Sequence, residues 1–212
     1  MGSRRQSFRI KRRPTFRQRF GLDRSGGIPR ETRPGQPLRP WTVPNAIGYL
    51  RLAAIPVFLY LAFESEDEPS LLSALIFWCI AAGDYVDGFV ARATGQYSRM
   101  GALLDPVVDR LTILSGAVVC WHFELLPRWA LAALAARELI TLLLAQIALR
   151  RGQPLEINWF GRIAVFPIMG SIFWAMVFES VVWDVMLVAG VALSVLATVV
   201  YTRTGLRQLA AT

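Results

Sequence analysis

Four aspartates are spaced so that their carboxylates can act together. Asp84 and Asp87 are three residues apart, and Asp105 and Asp109 are four residues apart, so on helices each pair shares one face. Carboxylates gathered this closely repel one another unless cations lie between them. Oxygen ligands without a nearby His or Cys favour Mg²⁺ or Mn²⁺ over Zn²⁺. Paired ions of this kind suit substitution at phosphorus, because they stabilise the attacking and leaving oxygens.

Two glycines and an arginine beside the aspartates fit a phosphate-containing ligand. Gly88 follows Asp87 directly, and Gly101 lies four residues before Asp105. A bare backbone at these positions would let a ligand approach closely. Arg92 lies where its segment is expected to leave the membrane, in position to meet a phosphate.

The elements that must position these residues are six apolar segments. Each is close to the roughly 20 residues that cross a bilayer as a helix. Only 18% of the 212 residues are charged, against about 25% in soluble domains. The sequence predicts an all-α integral membrane protein with six transmembrane helices, whose chemistry takes place at the membrane. The segments are approximately 46–63, 71–91, 102–122, 129–149, 161–179 and 183–202.

The distribution of basic residues predicts the orientation of the segments. Arginines lie in the N-terminal arm, in the loops 92–99 and 150–162, and in the tail, whereas the other loops hold only Arg128. Positively charged loops stay on the cytoplasmic side, so both termini are expected in the cytoplasm, with the protein in the cell (plasma) membrane. The second segment then runs inward and the third outward, which places all four aspartates at similar depth near the cytoplasmic side.

The chain is expected to divide into three parts: a basic arm at 1–40, a six-helix body at 41–205 and a cytoplasmic tail at 206–212. The arm holds 12 Arg and Lys against two acids, whereas the remainder holds 11 basic and 13 acidic residues. A basic segment next to a membrane span favours contact with anionic lipid heads. We therefore expect membrane lipids, and not nucleic acid, as the partner of the arm.

Two other classes of protein also place aspartates in membrane helices. A cation transporter lines a path with acids but usually has its site near the middle of the membrane. An intramembrane aspartyl protease needs two catalytic aspartates, which would leave the other two unexplained. Four carboxylates at the cytoplasmic edge favour phosphorus chemistry over both alternatives.

The order of these residues resembles the signature of the CDP-alcohol phosphatidyltransferase family. The pattern is Asp84-x-x-Asp87-Gly88-x-x-Ala91-Arg92, eight residues, then Gly101-x-x-x-Asp105-x-x-x-Asp109, and it matches position for position. The resemblance covers roughly residues 41–205 and includes Pro44-Asn45 at the start of the first segment, followed by Arg51.

This resemblance implies an activity and a role for each motif residue. Members of the family displace CMP from a CDP-linked lipid such as CDP-diacylglycerol with an alcohol acceptor, and they are homodimers. It implies two Mg²⁺ or Mn²⁺ ions held by Asp84, Asp87, Asp105 and Asp109, with Asp109 also the general base. It implies CDP-binding residues at Asn45, Asp84, Gly88, Ala91, Arg92 and Gly101.

Segments four and five are similar to the branch of the family that uses glycerol-based acceptors. The similarity lies in Arg137-Glu138 and in Arg162, which implies that these three residues bind an anionic glycerol-based acceptor. Arg137 and Glu138 also fit a second interpretation, a structural ion pair that holds segment four against a neighbour.

Within that branch, the residues after Arg162 bear on the acceptor. Users of glycerol-3-phosphate commonly carry a second basic residue shortly after the corresponding position, whereas Ala164 and Val165 stand here. One cation fewer favours a monoanionic diester over a dianionic monoester. We therefore expect phosphatidylglycerol as acceptor and cardiolipin as product, with glycerol-3-phosphate as the alternative.

Overall fold

The computed structural model describes the backbone of residues 37–150 and 159–210, and the side chains of 37–143 and 164–199. Within these ranges the chain forms six α-helices and no strand, which confirms the all-α prediction there. Most of the basic arm, the loop 151–158 and the side chain of Arg162 lie outside the described residues. The helices are α1 Val43–Phe63, α2 Leu71–Thr94, α3 Arg99–His122, α4 Arg128–Arg150, α5 Trp159–Ala175 and α6 Val181–Ala210.

Hydroxyl side chains set the first residues of the first three helices. Thr42 accepts a hydrogen bond from the backbone N–H of Asn45 at 3.3 Å, and Ser70 accepts one from Ser73 at 3.2 Å. Each bond satisfies an amide that has no partner within its helix. The cap at Thr42 begins α1 three residues before the apolar run that the sequence analysis identified.

The turn between α2 and α3 is short because α2 ends abruptly. Gly95 caps α2 with φ of +66°, a left-handed conformation that glycine adopts without steric cost. Ser98 then caps α3 by accepting a hydrogen bond from the Gly101 N–H at 2.9 Å. This turn places the last part of α2 beside the first part of α3.

The core lies where α1 and α2 meet α3 and α5. Phe58 of α1 and Phe77 of α2 pack with ring centroids 5.4 Å apart, and both are fully buried. Gly116 of α3 lies against this pair: a Cβ there would be 2.6 Å from Phe77 Cε2 and 2.7 Å from Ile172 of α5. The glycine therefore allows α3 to approach α2 and α5 closely.

The helix α5 ends four residues earlier than the apolar segment 161–179 predicts. After Ala175 the chain tightens into a turn, with the N–H of Val177 donating to the Trp174 carbonyl at 3.0 Å. Trp174 stacks on Trp183 at the start of α6 with centroids 5.9 Å apart. The apolar residues after Ala175 therefore form an aromatic-lined turn.

The outer surface of the bundle is apolar, as expected of a membrane protein. Three of the described helices are long and apolar enough to cross a membrane: Val43–Phe63, Leu71–Thr94 and the Val181–Val199 part of α6. Large side chains such as Leu50 and Trp78 are mostly exposed on these helices, in contrast to the buried faces of a soluble bundle. Six membrane spans and the cytoplasmic position of the termini remain predictions.

Candidate active site

The four aspartates lie on the antiparallel pair α2 and α3, close to the turn that joins them. Asp84 and Asp87 come from the second half of α2, and Asp105 and Asp109 from the first half of α3. Asp87 is buried, Asp105 and Asp109 are partly exposed, and the Asp84 side chain is 52% exposed. The site therefore ranges from the interior of the bundle to its surface.

Arg51 of α1 lies in the middle of this cluster. Its Nη1 donates to Asp87 Oδ2 at 2.9 Å and lies 3.5 Å from Asp84 Oδ1. Its Nη2 donates to Asp109 Oδ1 at 2.8 Å, and its Nε donates to the Ile80 carbonyl at 2.9 Å. The Arg51 side chain is only 4% exposed. The sequence analysis noted Arg51 but gave it no role, although a charge inside an apolar helix is itself a signal of function.

Arg51 leaves part of the acidic cluster open to a ligand. It contacts one oxygen each of Asp84, Asp87 and Asp109. Asp105 has neither a hydrogen bond nor an ion pair within the described part of the chain. Asp87 and Asp105 line a common pocket.

The carboxylates of the acidic cluster are the candidate ligands for the divalent ions that the sequence predicts. Among the described residues, no group of three or more His, Cys, Asp or Glu side chains is arranged to hold a metal ion. Arg51 lies against one oxygen of each of three carboxylates, Asp84, Asp87 and Asp109. The available donors are carboxylate oxygens alone, so their chemistry fits Mg²⁺ or Mn²⁺.

A pocket of about 200 Å³ opens beside the acidic cluster, between the start of α1, the end of α2 and the start of α3. Asp84 does not line it. Arg92 lies across Gly88, since a Cβ on that glycine would be 3.2 Å from Arg92 Nη1. The pocket lining includes five of the six residues predicted to bind CDP: Asn45, Gly88, Ala91, Arg92 and Gly101.

Asn45 organises the rim of this pocket. Its amide nitrogen donates to the carbonyls of Arg39 at 3.1 Å and Pro40 at 2.9 Å, and its Oδ1 accepts from Ser98 Oγ at 2.9 Å. A Cβ on Gly101 would be 2.7 Å from Asn45 Oδ1, so the glycine makes room for the asparagine. Asn45 thus joins the chain before α1 to the turn before α3, and its contact with a diphosphate stays a prediction.

A second charged cluster lies between α3 and α4. The fully buried Glu138 accepts a hydrogen bond from Arg137 Nη1, and its other oxygen lies 3.6 Å from Arg110 Nε. Arg110 also donates to the Pro106 carbonyl at 3.1 Å. The Nε atoms of Arg110 and Arg137 are buried and have no hydrogen-bond partner among the described residues. Arg110 has no role predicted from the sequence. Its only sequence feature that points to function is its position next to Asp109.

Comparison with known families identifies this arrangement. The profile of the CDP-alcohol phosphatidyltransferase family matches residues 41–199, which include both charged clusters and the pocket. The chain belongs to this family. The resemblance drawn from the aspartate motif is therefore confirmed, and the family is generally dependent on divalent metal ions.

Individual CDP-alcohol phosphatidyltransferases also resemble this chain. A cardiolipin synthase (CMP-forming) of Streptomyces coelicolor is 38% identical over 132 residues, which cover 60% of this chain and 61% of the relative. A CDP-diacylglycerol–glycerol-3-phosphate 3-phosphatidyltransferase of Salmonella paratyphi A is 29% identical over 166 residues, which cover 75% of this chain and 88% of the relative. An enzyme of the same name from Bacillus subtilis is 27% identical over 135 residues, covering 58% and 70%.

The link between Ser98 and Asn45 predicts that Ser98→Ala destabilises the protein more than a simple loss of a helix cap. The substitution removes the cap of α3, which costs about 1 kcal/mol, and leaves Asn45 Oδ1 without its donor, which adds about 1–3 kcal/mol. Thermal unfolding in detergent micelles measures the effect.

Ser70→Ala is the matched control, because Ser70 caps α2 and its hydroxyl makes no contact with the pocket. It is expected to lower the melting temperature by a few degrees, and Ser98→Ala by at least twice as much. Equal shifts in the two variants would contradict the role given to the Ser98–Asn45 hydrogen bond.

Proposed function

We propose that the protein transfers a phosphatidyl group from CDP-diacylglycerol to an anionic glycerol-based acceptor and releases CMP. The observation that carries this proposal is the pocket beside the acidic cluster. Its lining combines Asp87 and Asp105 with five residues of the predicted CDP site. A nucleotide diphosphate in this pocket would place its phosphates next to the carboxylates that bind the ions.

Two Mg²⁺ or Mn²⁺ ions are the proposed cofactors, held by Asp84, Asp87, Asp105 and Asp109. When bound, they would neutralise negative charge on the diphosphate and on the oxygens around the reacting phosphorus. The oxygen atoms that Arg51 does not contact, including both of Asp105, are the donors available to them.

Asp109 is the proposed general base. Arg51 donates to its Oδ1, which fixes the orientation of the carboxylate and leaves Oδ2 to accept the proton of the acceptor hydroxyl. The acceptor oxygen then attacks the phosphorus that carries diacylglycerol. The bond from this phosphorus to the CMP oxygen breaks, and CMP leaves with that oxygen.

The number of cations around the second cluster favours a singly charged acceptor. Two guanidinium groups, Arg110 and Arg137, share the single carboxylate of Glu138, and Arg162 is a further proposed contact. The second basic residue that users of glycerol-3-phosphate commonly carry after this position is replaced by Ala164 and Val165, which favours the phosphodiester of phosphatidylglycerol and gives cardiolipin as product. Within the described residues the Nε atoms of Arg110 and Arg137 have no hydrogen-bond partner, so they are donors suited to a phosphate.

Glycerol-3-phosphate is the second candidate acceptor. The names of the Salmonella and Bacillus relatives specify this substrate, whereas that of the Streptomyces relative specifies cardiolipin synthesis. We place both termini in the cytoplasm, with the basic arm on anionic lipids of the plasma membrane. We also propose a homodimer, as in the family.

Asp109→Asn is expected to lower the rate of CMP release by at least about 100-fold, because the amide cannot accept the proton. Binding of CDP-diacylglycerol should largely survive, since Asp109 does not line the pocket. Release of CMP and binding of the CDP-lipid are measured separately on purified protein.

Asp184→Asn serves as the control, because Asp184 lies in the first turn of α6, away from the acidic cluster. It is expected to retain full turnover. Full turnover by Asp109→Asn as well would remove Asp109 from the role of base.

Removal of divalent ions is expected to abolish the reaction, because the diphosphate and the carboxylates would then repel one another. CMP release from CDP-diacylglycerol in the presence of EDTA measures this loss, and added Mg²⁺ or Mn²⁺ should restore the rate. CMP release that continues in EDTA would contradict the metal site. A cation transporter would release no CMP under either condition.

Assays with each acceptor distinguish the two candidate reactions. We expect product from phosphatidylglycerol and little from glycerol-3-phosphate, because Ala164 and Val165 stand where users of glycerol-3-phosphate commonly carry a second basic residue. Chromatography of the lipid products identifies cardiolipin or phosphatidylglycerophosphate. Product from glycerol-3-phosphate alone would overturn this choice of acceptor and leave the transfer reaction intact.

A further inference from the structure

We propose that Arg51 is a resident counter-cation of the acidic cluster, which holds Asp84, Asp87 and Asp109 together before a divalent ion binds. It is a positioning residue, because it acts on the carboxylates that bind the ions. The proposal rests on the proposed function only where it concerns these ions. Its structural part concerns the metal-free protein alone.

All three nitrogens of the guanidinium group are engaged. Nη1 and Nη2 contact carboxylates on two different helices, Asp87 on α2 and Asp109 on α3, and Nε is held by the Ile80 carbonyl. A planar group with this fixed set of donors sets the relative positions of its acceptors, which the flexible ammonium of a lysine does not. Arg51 therefore fixes the distance between the two helices at the site.

Gly83 provides the space that Arg51 needs to reach the carboxylates. A Cβ at this position would be 2.7 Å from Arg51 Cδ and 2.9 Å from Cγ, well inside van der Waals contact. The arginine stem therefore lies directly against the backbone of α2. A glycine is needed at position 83 because the Arg51 side chain passes over it.

The charges give Arg51 a role beyond packing. Four carboxylates in one part of an apolar bundle repel one another strongly, and a single guanidinium offsets one of the four charges. The cluster stays negative overall and still attracts divalent cations. Within the described part of the chain, neither Arg51 nor any other residue pairs with the oxygens of Asp105, so an ion can enter on that side of a cluster that is already assembled.

The test compares Arg51→Met with the unchanged protein by thermal unfolding in detergent with EDTA. Loss of a buried cation from its partners is expected to lower the melting temperature by about 10 °C. Added MnCl₂ should then raise the melting temperature more in Arg51→Met than in the unchanged protein, since the ion replaces the missing positive charge. Mn²⁺-induced shifts that are measurable in both proteins and equal in size would overturn the proposal.

A charge-matched control and a double variant separate this role from simple packing. Arg128→Met removes an arginine whose partner, Glu124, is exposed, and it should change neither the melting temperature nor the Mn²⁺ shift. In EDTA, Arg51→Met combined with Asp109→Asn should be more stable than Arg51→Met alone, because one repelling charge is gone. Further destabilisation by the second substitution would show that Arg51 only packs.

Gly83→Ala provides a second test if Arg51→Met does not fold. This variant keeps every charge but displaces the arginine stem, so it should lower the melting temperature in EDTA and enlarge the Mn²⁺ shift. Gly170→Ala is the matched control, since a Cβ there lies 3.4 Å from Met186 Cε, an ordinary contact. Identical behaviour of the two alanine variants would overturn the proposal.

The EDTA measurements need neither an ion nor a substrate, so they decide the role of Arg51 even if the proposed reaction is wrong. Absence of any Mn²⁺ shift in the unchanged protein would count against the proposed metal site. The comparison of the single and double variants in EDTA would still confirm or overturn the counter-cation.

Discussion

The mutual repulsion of four carboxylates within an apolar helical bundle is the constraint on which this structure depends. Two of the three helices around the site have a feature that reduces this repulsion: Arg51 on α1 supplies a positive charge, and Gly83 on α2 gives its side chain the space to reach the carboxylates. A negative site that is only partly compensated is stable enough to fold and still attracts divalent ions. The excess negative charge that destabilises the fold is thus also what would bind the divalent ions of the proposed reaction.

The two charged clusters divide the proposed reaction between the two sides of α3. Asp109 is bound to α1 through Arg51, whereas the next residue, Arg110, lies near Glu138 of α4. Successive residues on a helix point in directions about 100° apart, so one helix can present a base to one neighbour and a cation to another. In the proposed function, the nucleotide-lipid and the acceptor therefore lie on different sides of α3, although the residues that face them are adjacent in sequence.

Much of the fold could be predicted because helices in this chain follow long apolar segments with clear polar breaks. The bounds shifted where local effects intervene, as at the Thr42 cap before α1 and the turn after Ala175. The motif likewise gave the residues of the pocket, since their spacing along α2 and α3 determines which of them share a face. Helix positions and shared helix faces both follow from the spacing of residues along the chain, which can be read from the sequence.

Contacts between helices that are distant in sequence could not be predicted in the same way. Arg51 is 36 residues from Asp87 and 58 from Asp109, and nothing in the local pattern pairs them. Asn45 is predicted to contact the ligand, and its Oδ1 also accepts a hydrogen bond from Ser98, which is 53 residues away. Both cases require knowledge of which helix faces meet, which depends on tertiary packing.

The adjacency of Asp109 and Arg110 has a mechanical consequence. Because α3 is a continuous helix through these residues, a rotation about its axis that moves one side chain moves the other by the same angle. A rotation of α3 that moves Asp109 away from Arg51 would therefore also change the distance from Arg110 to Glu138. In the proposed function, the base and the cation on the acceptor side would move together, because one rigid helix carries both.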